Sequence, residues 1–337
     1  MSNSPTSVKP RIQITPLDIS TDLPEVTSVW GASLPGYALP ASSIQKLVPK
    51  PTAHHLIARI TSDTETNIIG FALTYQTPPH HSGPSGYLSV LAVHPQHQNQ
   101  GVGTALVSEI ITFYRTKYTP CNLILGSSFP RFWPGVPRDL SEDVVRFFEK
   151  RGFRFRDPEM RSVDLIQDIE DFDLWEEDID SYVGRASQGG FTFGVLREAG
   201  YAECLEGQRR NFAYNAAWVE MFETLDPKSH PSSIMVAFSP SGKQIGWTLM
   251  LSPDSPILQE NWAMPPLCGP STGLIGCVGI DQDARGTGIG LALVSHAMED
   301  MRNRGIKGVF VDWVAMDGYY EKLGFTVWRA YRVGEIQ

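Results

Sequence analysis

The chain of 337 residues is poor in cysteine and has no long apolar run. Its four cysteines, Cys121, Cys204, Cys268 and Cys277, lack Cys-x-x-Cys spacing and are too few to form a disulfide framework. No stretch approaches the roughly 18 apolar residues of a spanning helix, and the polar N-terminal residues 1–10 do not read as a secretory leader. We therefore expect reduced thiols, a cytoplasmic location and no membrane partner.

The chain also has fewer basic than acidic side chains. The chain has 28 Lys and Arg residues against 37 Asp and Glu residues, which gives a formal net charge of −9, and the acidic excess lies in the second half. Such a surface argues against nucleic-acid binding and favours cationic partners. It is equally typical of an ordinary soluble surface, so charge alone does not identify a ligand.

Several common catalytic motifs are missing. No Gly-Lys-Ser/Thr follows a glycine-rich turn, no Gly-x-Gly-x-x-Gly occurs in such a turn, and Gly-x-Ser-x-Gly is absent. The adjacent histidines at 54–55 and 80–81 lack a third ligand at a set spacing, so we expect no metal site.

One pattern occurs twice. Residues 98–103 and 285–290 both read [Gln/Arg]-x-x-Gly-x-Gly, and each residue of the second copy lies 187 positions after its counterpart, as Gly288 does after Gly101. Each copy follows an apolar strand, at 87–93 or 274–280, and precedes an amphipathic helix, at 104–117 or 290–304. The repeat predicts two copies of one domain, at 11–167 and 191–337, joined by an acidic linker at 168–190 that we expect to be exposed. The alternative is that its apolar residues Phe172, Leu174 and Trp175 dock on a domain.

A glycine-rich turn between a strand and a helix brings backbone N–H groups together beside the positive end of the helix dipole. This arrangement suits a pyrophosphate, to which Gln98 or Arg285 can add a side-chain donor. A tight packing turn is the structural alternative. Two copies in register favour the anion site.

The repeat resembles the coenzyme A pyrophosphate loop of the GNAT acetyltransferase superfamily. The resemblance extends to residues 147–153 (FFEKRGF) and 319–325 (YYEKLGF), which look like that family's Phe-Tyr-Glu-Lys-x-Gly-Phe ending. It implies an α/β fold of two domains, each a mixed, mostly antiparallel, splayed sheet flanked by helices, with acetyl-coenzyme A as cosubstrate. The cofactor-binding residues that it implies are Leu91, Val93, Gln98, Asn99, Gln100, Gly101, Val102, Gly103, Thr104, Val278, Ile280, Arg285, Gly286, Thr287, Gly288, Ile289, Gly290 and Leu291.

The resemblance also implies catalytic roles in the second domain. Tyr320 occupies the position of the family's general acid, whereas its counterpart Phe148 has no proton to donate. Asp312, in the strand beside the expected cleft, is our candidate base, with Asp317 as its substitute; a cap or an ion pair is the structural alternative for Asp312. The first domain is therefore expected to bind coenzyme A without catalysis, or to use another acid.

The acceptor is less defined. Residues 132–137 (FWPGVP) and Asp312-Trp313 resemble segments of the acetyltransferase pairs appended to some fungal and bacterial N-acetylglucosaminidases, which implies an amino sugar such as glucosamine. Proline-rich loops at 76–86 and 252–270 favour lids over a small-molecule amine, and aromatic residues near them are read as lid or interdomain packing more readily than as ligand stackers. The alternatives are a protein lysine or N-terminal acetyltransferase and a non-catalytic acyl-coenzyme A sensor. The oligomeric state stays open.

Overall fold

The computed structural model describes residues 11–61, 66–77 and 85–337. The N-terminal leader, the histidine pair at 80–81 and most of the proline-rich loop at 76–86 lie outside these ranges. Hereafter the first half of the chain ends at residue 168 and the second half begins at residue 169.

The elements of the first half alternate between strands and helices. In chain order they are β1 (Arg11–Pro16), α1 (Leu23–Ser33), α2 (Ala41–Leu47), β2 (Leu56–Thr61), β3 (Thr66–Gln76), β4 (Gly86–Val93), α3 (Val102–Lys117), β5 (Leu123–Leu125), β6 (Val136–Pro137), α4 (Glu142–Glu149), β7 (Arg154–Phe155) and β8 (Val163–Asp168).

The second half repeats this order after an additional helix. Its elements are α5 (Glu177–Gln188), β9 (Thr192–Val195), α6 (Tyr201–Phe212), α7 (Ala216–Glu223), β10 (Ile234–Phe238), β11 (Gln244–Leu251), α8 (Pro256–Asn261), β12 (Thr272–Ile280), α9 (Ile289–Asn303), β13 (Gly308–Val314), β14 (Thr326–Arg332) and β15 (Gly334–Ile336).

These strands form two mixed sheets with the orders β1-β2-β3-β4-β5-β15-β7 and β6-β14-β8-β13-β12-β11-β10-β9. All pairs are antiparallel except β4 with β5 and β12 with β13. Each parallel pair is held over only three residue pairs, after which the strands separate. The predicted α/β class with two splayed, mostly antiparallel sheets is confirmed.

The two halves exchange a strand with each other. β8 of the first half lies between β13 and β14, antiparallel to both, and β15 of the second half lies between β5 and β7. β6 of the first half also pairs with β14, at the edge of the second sheet, so neither sheet is complete without strands from the other half. The expected boundary at 167/168 thus falls inside a strand of the second sheet, because Val163 and Leu165 bury their side chains in that sheet's core.

The acidic segment at 168–190 differs from the exposed linker that its composition indicates. Phe172 and Leu174 are buried, and α5 packs on α9 through Ile179, Val183 and Ala186. The spacing of these three apolar residues gives the helix one buried stripe among its acidic positions. Charge density masked that stripe in the sequence.

A second difference concerns residues 209–222, for which the sequence predicts one helix. The structure has two helices, α6 and α7, with a break at residues 213–215. Asn215 adopts non-helical backbone angles, and its side chain accepts a hydrogen bond from the Trp218 backbone N–H at 3.2 Å. An asparagine in this position begins a new helix by satisfying one of its free donors.

The largest core cluster belongs to both halves. It includes Trp30, Tyr75 and Phe132 of the first half together with Trp247 and Trp262 of the second, all of them fully or almost fully buried. Each sheet has one further cluster on its outer face. In the first half this cluster lies under α3, and in the second half it lies under α5 and α9. The aromatic residues Phe132, Trp133 and Trp262 serve the interdomain packing predicted for them.

The exchanged strand β8 carries a buried carboxylate. Asp164 is 1% exposed and accepts hydrogen bonds from the Tyr331 hydroxyl at 2.6 Å and from the Trp313 backbone N–H at 3.0 Å. The pKa of Asp164 is raised to about 7, mainly by burial and also by the carboxylate of Asp312, although the two hydrogen bonds and Arg131 lower it.

Ile336→Ala on β15 should destabilise the first half of the chain, although residue 336 is almost the last in the sequence. Ile336 is 5% exposed in the core cluster under α3, so its truncation should lower the free energy of unfolding by about 2–4 kcal/mol. Hydrogen exchange should accelerate in β5 and β7, the neighbours of β15. Val327→Ala, at a residue 51% exposed on β14, is the control and should change stability little. Unchanged exchange in β5 and β7 would contradict the strand exchange.

Asp164→Asn should change how stability depends on pH. The unfolded carboxyl titrates near 3.8 and the folded one near 7, so between these values the folded state holds the extra proton and the free energy of unfolding falls as pH rises. Relative to Asp164→Asn, the wild type should lose about 4 kcal/mol between pH 4 and pH 8 in urea titrations.

Asp22→Asn is the control, because the stability that Asp22 contributes should depend on pH in the opposite direction. The pKa of Asp22 is lowered: its burial raises it, but the hydrogen bonds and charge of Arg59 and neighbouring groups outweigh that effect. The stability that Asp22 contributes is therefore lost as pH falls. A flat difference between wild type and Asp164→Asn across this range would refute the raised pKa of Asp164.

Candidate active site

The two glycine-rich loops adopt the same backbone conformation. Asn99 and its counterpart Gly286 have φ angles of 60° and 78°, and Gly101 and Gly288 have φ angles of 88° and 86°. Gly101 and Gly288 are also the N-caps of α3 and α9. Backbone conformations of this kind can turn successive N–H groups toward one point, as in anion-binding concavities. Each glycine-rich turn lies between a strand and a helix, as the sequence predicts.

The side chains of Gln98 and Arg285 have a structural role that the sequence did not indicate. Gln98 donates through Nε2 to the carbonyl oxygen of Val93 at 3.0 Å, and Arg285 donates through Nε to that of Ile280 at 3.0 Å. Each side chain therefore ties its loop to the last residue of the preceding strand. The guanidinium of Arg285 keeps its other N–H groups at an exposed position.

A cavity of about 630 Å³ runs along the second loop. Its polar wall is the loop itself, with Arg185, Arg285 and Lys322 supplying positive charge, and its apolar wall contains aromatic side chains of α5, α6 and α7. The predicted cofactor residues that line it are Val278, Ile280, Arg285, Gly286, Thr287, Gly288, Gly290 and Leu291. Ile289, by contrast, turns its side chain into the core at 1% exposure. The mouth is flanked by Tyr214 and Met316, which are 76% and 54% exposed.

Strand β12 bulges beside this cavity. Trp247 pairs with Gly279 and Leu249 with Gly276, so Cys277 and Val278 together oppose one residue of β11. Cys277 has a φ of 51°, unusual for a residue with a side chain, and burial raises the pKa of its thiol to about 12. Because β13 has already separated from β12 at this point, the bulge leaves main-chain groups of Cys277 and Val278 outside the sheet ladder.

The first loop has different neighbours. The guanidinium of Arg151 lies over the Phe147 ring, 3.5 Å from its centre, and donates to the Thr104 hydroxyl in the first turn of α3. This contact places a cation at the mouth of the loop. Phe147 corresponds to Tyr319, whose hydroxyl contacts Gly290 so closely that a Cβ there would lie 2.3 Å from it.

Asp312 forms an ion pair, which is the alternative predicted from the sequence beside a role as the base. Arg131 donates through Nη1 to Asp312 Oδ2 at 2.7 Å, and Trp262 donates through Nε1 to the same oxygen at 2.9 Å. The Asp312 side chain is 6% exposed. Asp317, the substitute candidate, lies at the surface instead, where it is 86% exposed and pairs with Arg161.

The two adjacent tyrosines occupy different environments. Tyr319 lines the cavity, and burial raises its pKa to about 12. Tyr320 is 5% exposed; burial raises its pKa most, and Tyr319, Asp312 and Cys277 raise it further. A neutral phenol beside Asp312 and Cys277 is protonated throughout the physiological range, as a proton donor must be.

Sequence reasoning missed Arg131 and Asp164 as members of this site. Both belong to the first half of the chain, and both interact electrostatically with Asp312. The only signal for Arg131 was its position among aromatic and proline residues at 129–134. No periodicity or spacing connects it with a residue far along the chain.

The described ranges contain no metal-binding cluster and no membrane-spanning helix. No group of three or more His, Cys, Asp or Glu side chains there could hold a metal ion. His55, one of the paired histidines, is buried and contacts the Val48 carbonyl oxygen through Nε2 at 2.9 Å. No helix in these ranges is both long and apolar enough to cross a membrane.

Solved structures with this fold include three that align with almost the whole chain. The GCN5-related glucosamine N-acetyltransferase region of a fungal multi-domain GH3 β-N-acetylglucosaminidase has a TM-score of 0.85 and 27% identity; the alignment covers 98% of this chain and 38% of that protein. A GCN5-related N-acetyltransferase from Sphaerobacter thermophilus has a TM-score of 0.68 and 15% identity, covering 96% and 95%. A tandem GNAT protein from the clavulanic acid biosynthesis pathway has a TM-score of 0.61 and 14% identity, covering 96% and 98%.

The chain thus spans less than two fifths of the fungal protein's length, and the other two similarities concern the fold alone. No curated protein matches the chain. The model of the acetyltransferase (GNAT) family, however, matches it twice, at residues 26–153 and 197–325, which together make up most of the chain and contain both loops. The chain therefore belongs to the GNAT family of N-acetyltransferases and carries two of its domains in tandem.

Proposed function

We propose that the second domain transfers the acetyl group of acetyl-coenzyme A directly to the primary amine of a small molecule. The observation that carries this proposal is one cavity that runs from the loop at 285–291 to Tyr319, with Tyr320 buried next to Tyr319 and in electrostatic contact with Asp312. In the proposal, the loop holds the phosphates, Asp312 accepts a proton and Tyr320 donates one.

Both loops are proposed to hold a coenzyme A pyrophosphate, since both have the left-handed residues that turn their amides inward. In the second domain, main-chain groups at Val278 and Ile280 would pair with the pantetheine arm as an added strand does. In the first domain Arg151 would add a cation beside Thr104. Acetyl-coenzyme A supplies the activated acyl group.

The chemistry that this chain supplies is proton transfer and orientation. An amine arrives as an ammonium ion and must lose a proton before its lone pair can form the new C–N bond; Asp312 accepts that proton. As the C–S bond breaks, the Tyr320 hydroxyl donates its proton to the leaving sulfur, and the second proton lost by the attacking nitrogen restores the Tyr320 hydroxyl. Phe148 cannot do so, which assigns the reaction to the second domain and a binding role to the first.

An amino sugar such as glucosamine is the acceptor that we propose. The support is the similarity to the glucosamine N-acetyltransferase region of the fungal protein, at 27% identity over nearly the whole chain. The acidic surface of the second half would attract a cationic amine. Aromatic side chains around the cavity, such as Trp218 and Tyr214, offer the flat apolar faces on which sugar rings stack.

Assay of thiol release over a panel of amines tests this function. We expect acetyl-coenzyme A to release free thiol in the presence of glucosamine, and to do so faster than with a lysine peptide or with no amine. A preference for the peptide would favour the protein-acetylating alternative. Tight binding of acetyl-coenzyme A with no amine-dependent release would favour the sensor.

Tyr320→Phe is the mechanistic control for this assay. Loss of the phenolic proton donor should lower kcat by about 10²-fold or more while the affinity for acetyl-coenzyme A stays the same. Full activity of Tyr320→Phe at every pH would remove Tyr320 from the mechanism.

Calorimetry should find two molecules of acetyl-coenzyme A per chain, and the variants Gly101→Ala and Gly288→Ala should each weaken binding at one of the two sites and leave the other unchanged. Each substitution puts a side chain at a left-handed position, which costs about 1–2 kcal/mol and should weaken binding at that loop about tenfold. Gly305→Ala is the matched control, because Gly305 has a φ of 82° in open space away from both loops. One molecule per wild-type chain, unaffected by Gly101→Ala, would exclude the first loop.

A further inference from the structure

A residue from the first half of the chain contacts the proposed proton acceptor in the second half. Arg131 lies in the irregular loop between β5 and β6, and its Nη1 is 2.7 Å from Asp312 Oδ2 on β13. The exposed fractions of the two side chains are 12% and 6%. This ion pair is the least exposed of those in the described residues that join the two halves.

Two main-chain hydrogen bonds hold the loop in place at Arg131. Its backbone N–H donates to the Asn261 carbonyl oxygen at 2.6 Å, and its own carbonyl oxygen accepts from the Ala263 N–H at 2.9 Å. The guanidinium lies between the rings of Trp313, at 4.3 Å, and Phe129, at 4.7 Å. A planar cation held between two aromatic rings and two main-chain bonds has little freedom to move.

The hydrogen bonds to Asp312 are distributed unequally between its oxygens. Arg131 and Trp262 both donate to Oδ2, whereas Oδ1 receives no hydrogen bond from the part of the chain that the structure describes. The arrangement leaves one oxygen anchored and the other available. An anchored carboxylate with one available oxygen is suited to take a proton from a bound amine.

We propose that Arg131 is a positioning residue for acetyl transfer: the first half of the chain supplies the cation that pairs with Asp312 Oδ2 and directs its Oδ1 toward the acceptor amine. This inference rests on the proposed function. It gives the first domain a second task beside cofactor binding, and it makes the catalytic centre a product of both halves.

The charged and titratable groups around Asp312 come from several elements. Arg131 approaches from the first half, Asp164 from β8, Cys277 from β12 and Tyr320 from the turn after β13. Arg131 is the one cation among these groups. Its removal would leave two buried carboxyl groups, and buried carboxylates without a counter-ion bind protons at higher pH.

The test compares Arg131→Gln and Arg131→Lys with the wild type by measuring kcat/KM for the amine as a function of pH. For Arg131→Gln we expect a loss of about 10²-fold at pH 7 and a shift of the acid limb to higher pH by about one unit. The KM for acetyl-coenzyme A should stay the same. Arg131→Lys keeps the positive charge and should restore the position of the limb while recovering only part of the rate.

Arg59→Gln is the matched control. It breaks the Arg59–Asp22 pair, which has the same 2.7 Å separation and an equally buried aspartate but lies in the first half, away from the cavity. Arg59→Gln should lower the free energy of unfolding and leave the pH profile unchanged. If Arg131→Gln behaves like Arg59→Gln, with reduced stability and an unmoved acid limb, Arg131 is purely structural and the proposal fails.

A readout independent of turnover separates this inference from the proposed function. The carboxyl carbon of Asp312, followed by NMR, should titrate at higher pH in Arg131→Gln than in the wild type, whichever amine is the substrate. An unchanged titration overturns the positioning role even if the enzyme is active. The wild type could instead release no thiol with any amine while the titration of Asp312 still differs between Arg131→Gln and the wild type. That result overturns the proposed function and leaves the coupling of Arg131 to Asp312 intact.

Discussion

The reciprocal exchange of β8 and β15 fixes how the two halves of this protein meet. Each strand satisfies its main-chain hydrogen bonds between two strands of the other half, so the halves cannot separate without exposing unpaired backbone in both sheets. The shared cluster of Trp30, Phe132, Trp247 and Trp262 fills the space that the exchange creates. A side chain of one half can therefore reach the cavity of the other with a fixed geometry, as Arg131 does with Asp312.

The site stands on two irregular strands whose distortions are held by buried polar groups. Cys277 and Trp313 both have left-handed backbone angles, with φ values of 51° and 55°, at bulges of β12 and β13. Such conformations persist only where surrounding contacts over-determine them. For Trp313 that contact comes from Asp164, which accepts its backbone N–H, and Asp164 lies on the exchanged strand. The strand exchange thus holds the backbone of β13 next to Asp312 in its irregular conformation.

Duplication has preserved the loops better than their surroundings. The left-handed residues recur at equivalent positions, and the Gln98 and Arg285 side chains make the same contact with the preceding strand. The aromatic endings have diverged, with Phe147 and Phe148 in one domain and Tyr319 and Tyr320 in the other. Loop geometry depends on a few local residues, whereas catalytic competence depends on side chains brought together from several elements.

That difference explains what the sequence by itself determined. Both glycine-rich turns and the strand and helix flanking each turn follow from local spacing, the fold class follows from the family resemblance of these segments, and the structure agrees with them. The partner of strand β8 and the contact of Arg131 with Asp312 depend on residues more than a hundred positions apart, and the buried stripe of α5 is hidden among acidic residues. Local spacing can be seen directly in the order of the residues. Contacts between segments that are distant in the sequence depend on how the whole chain packs.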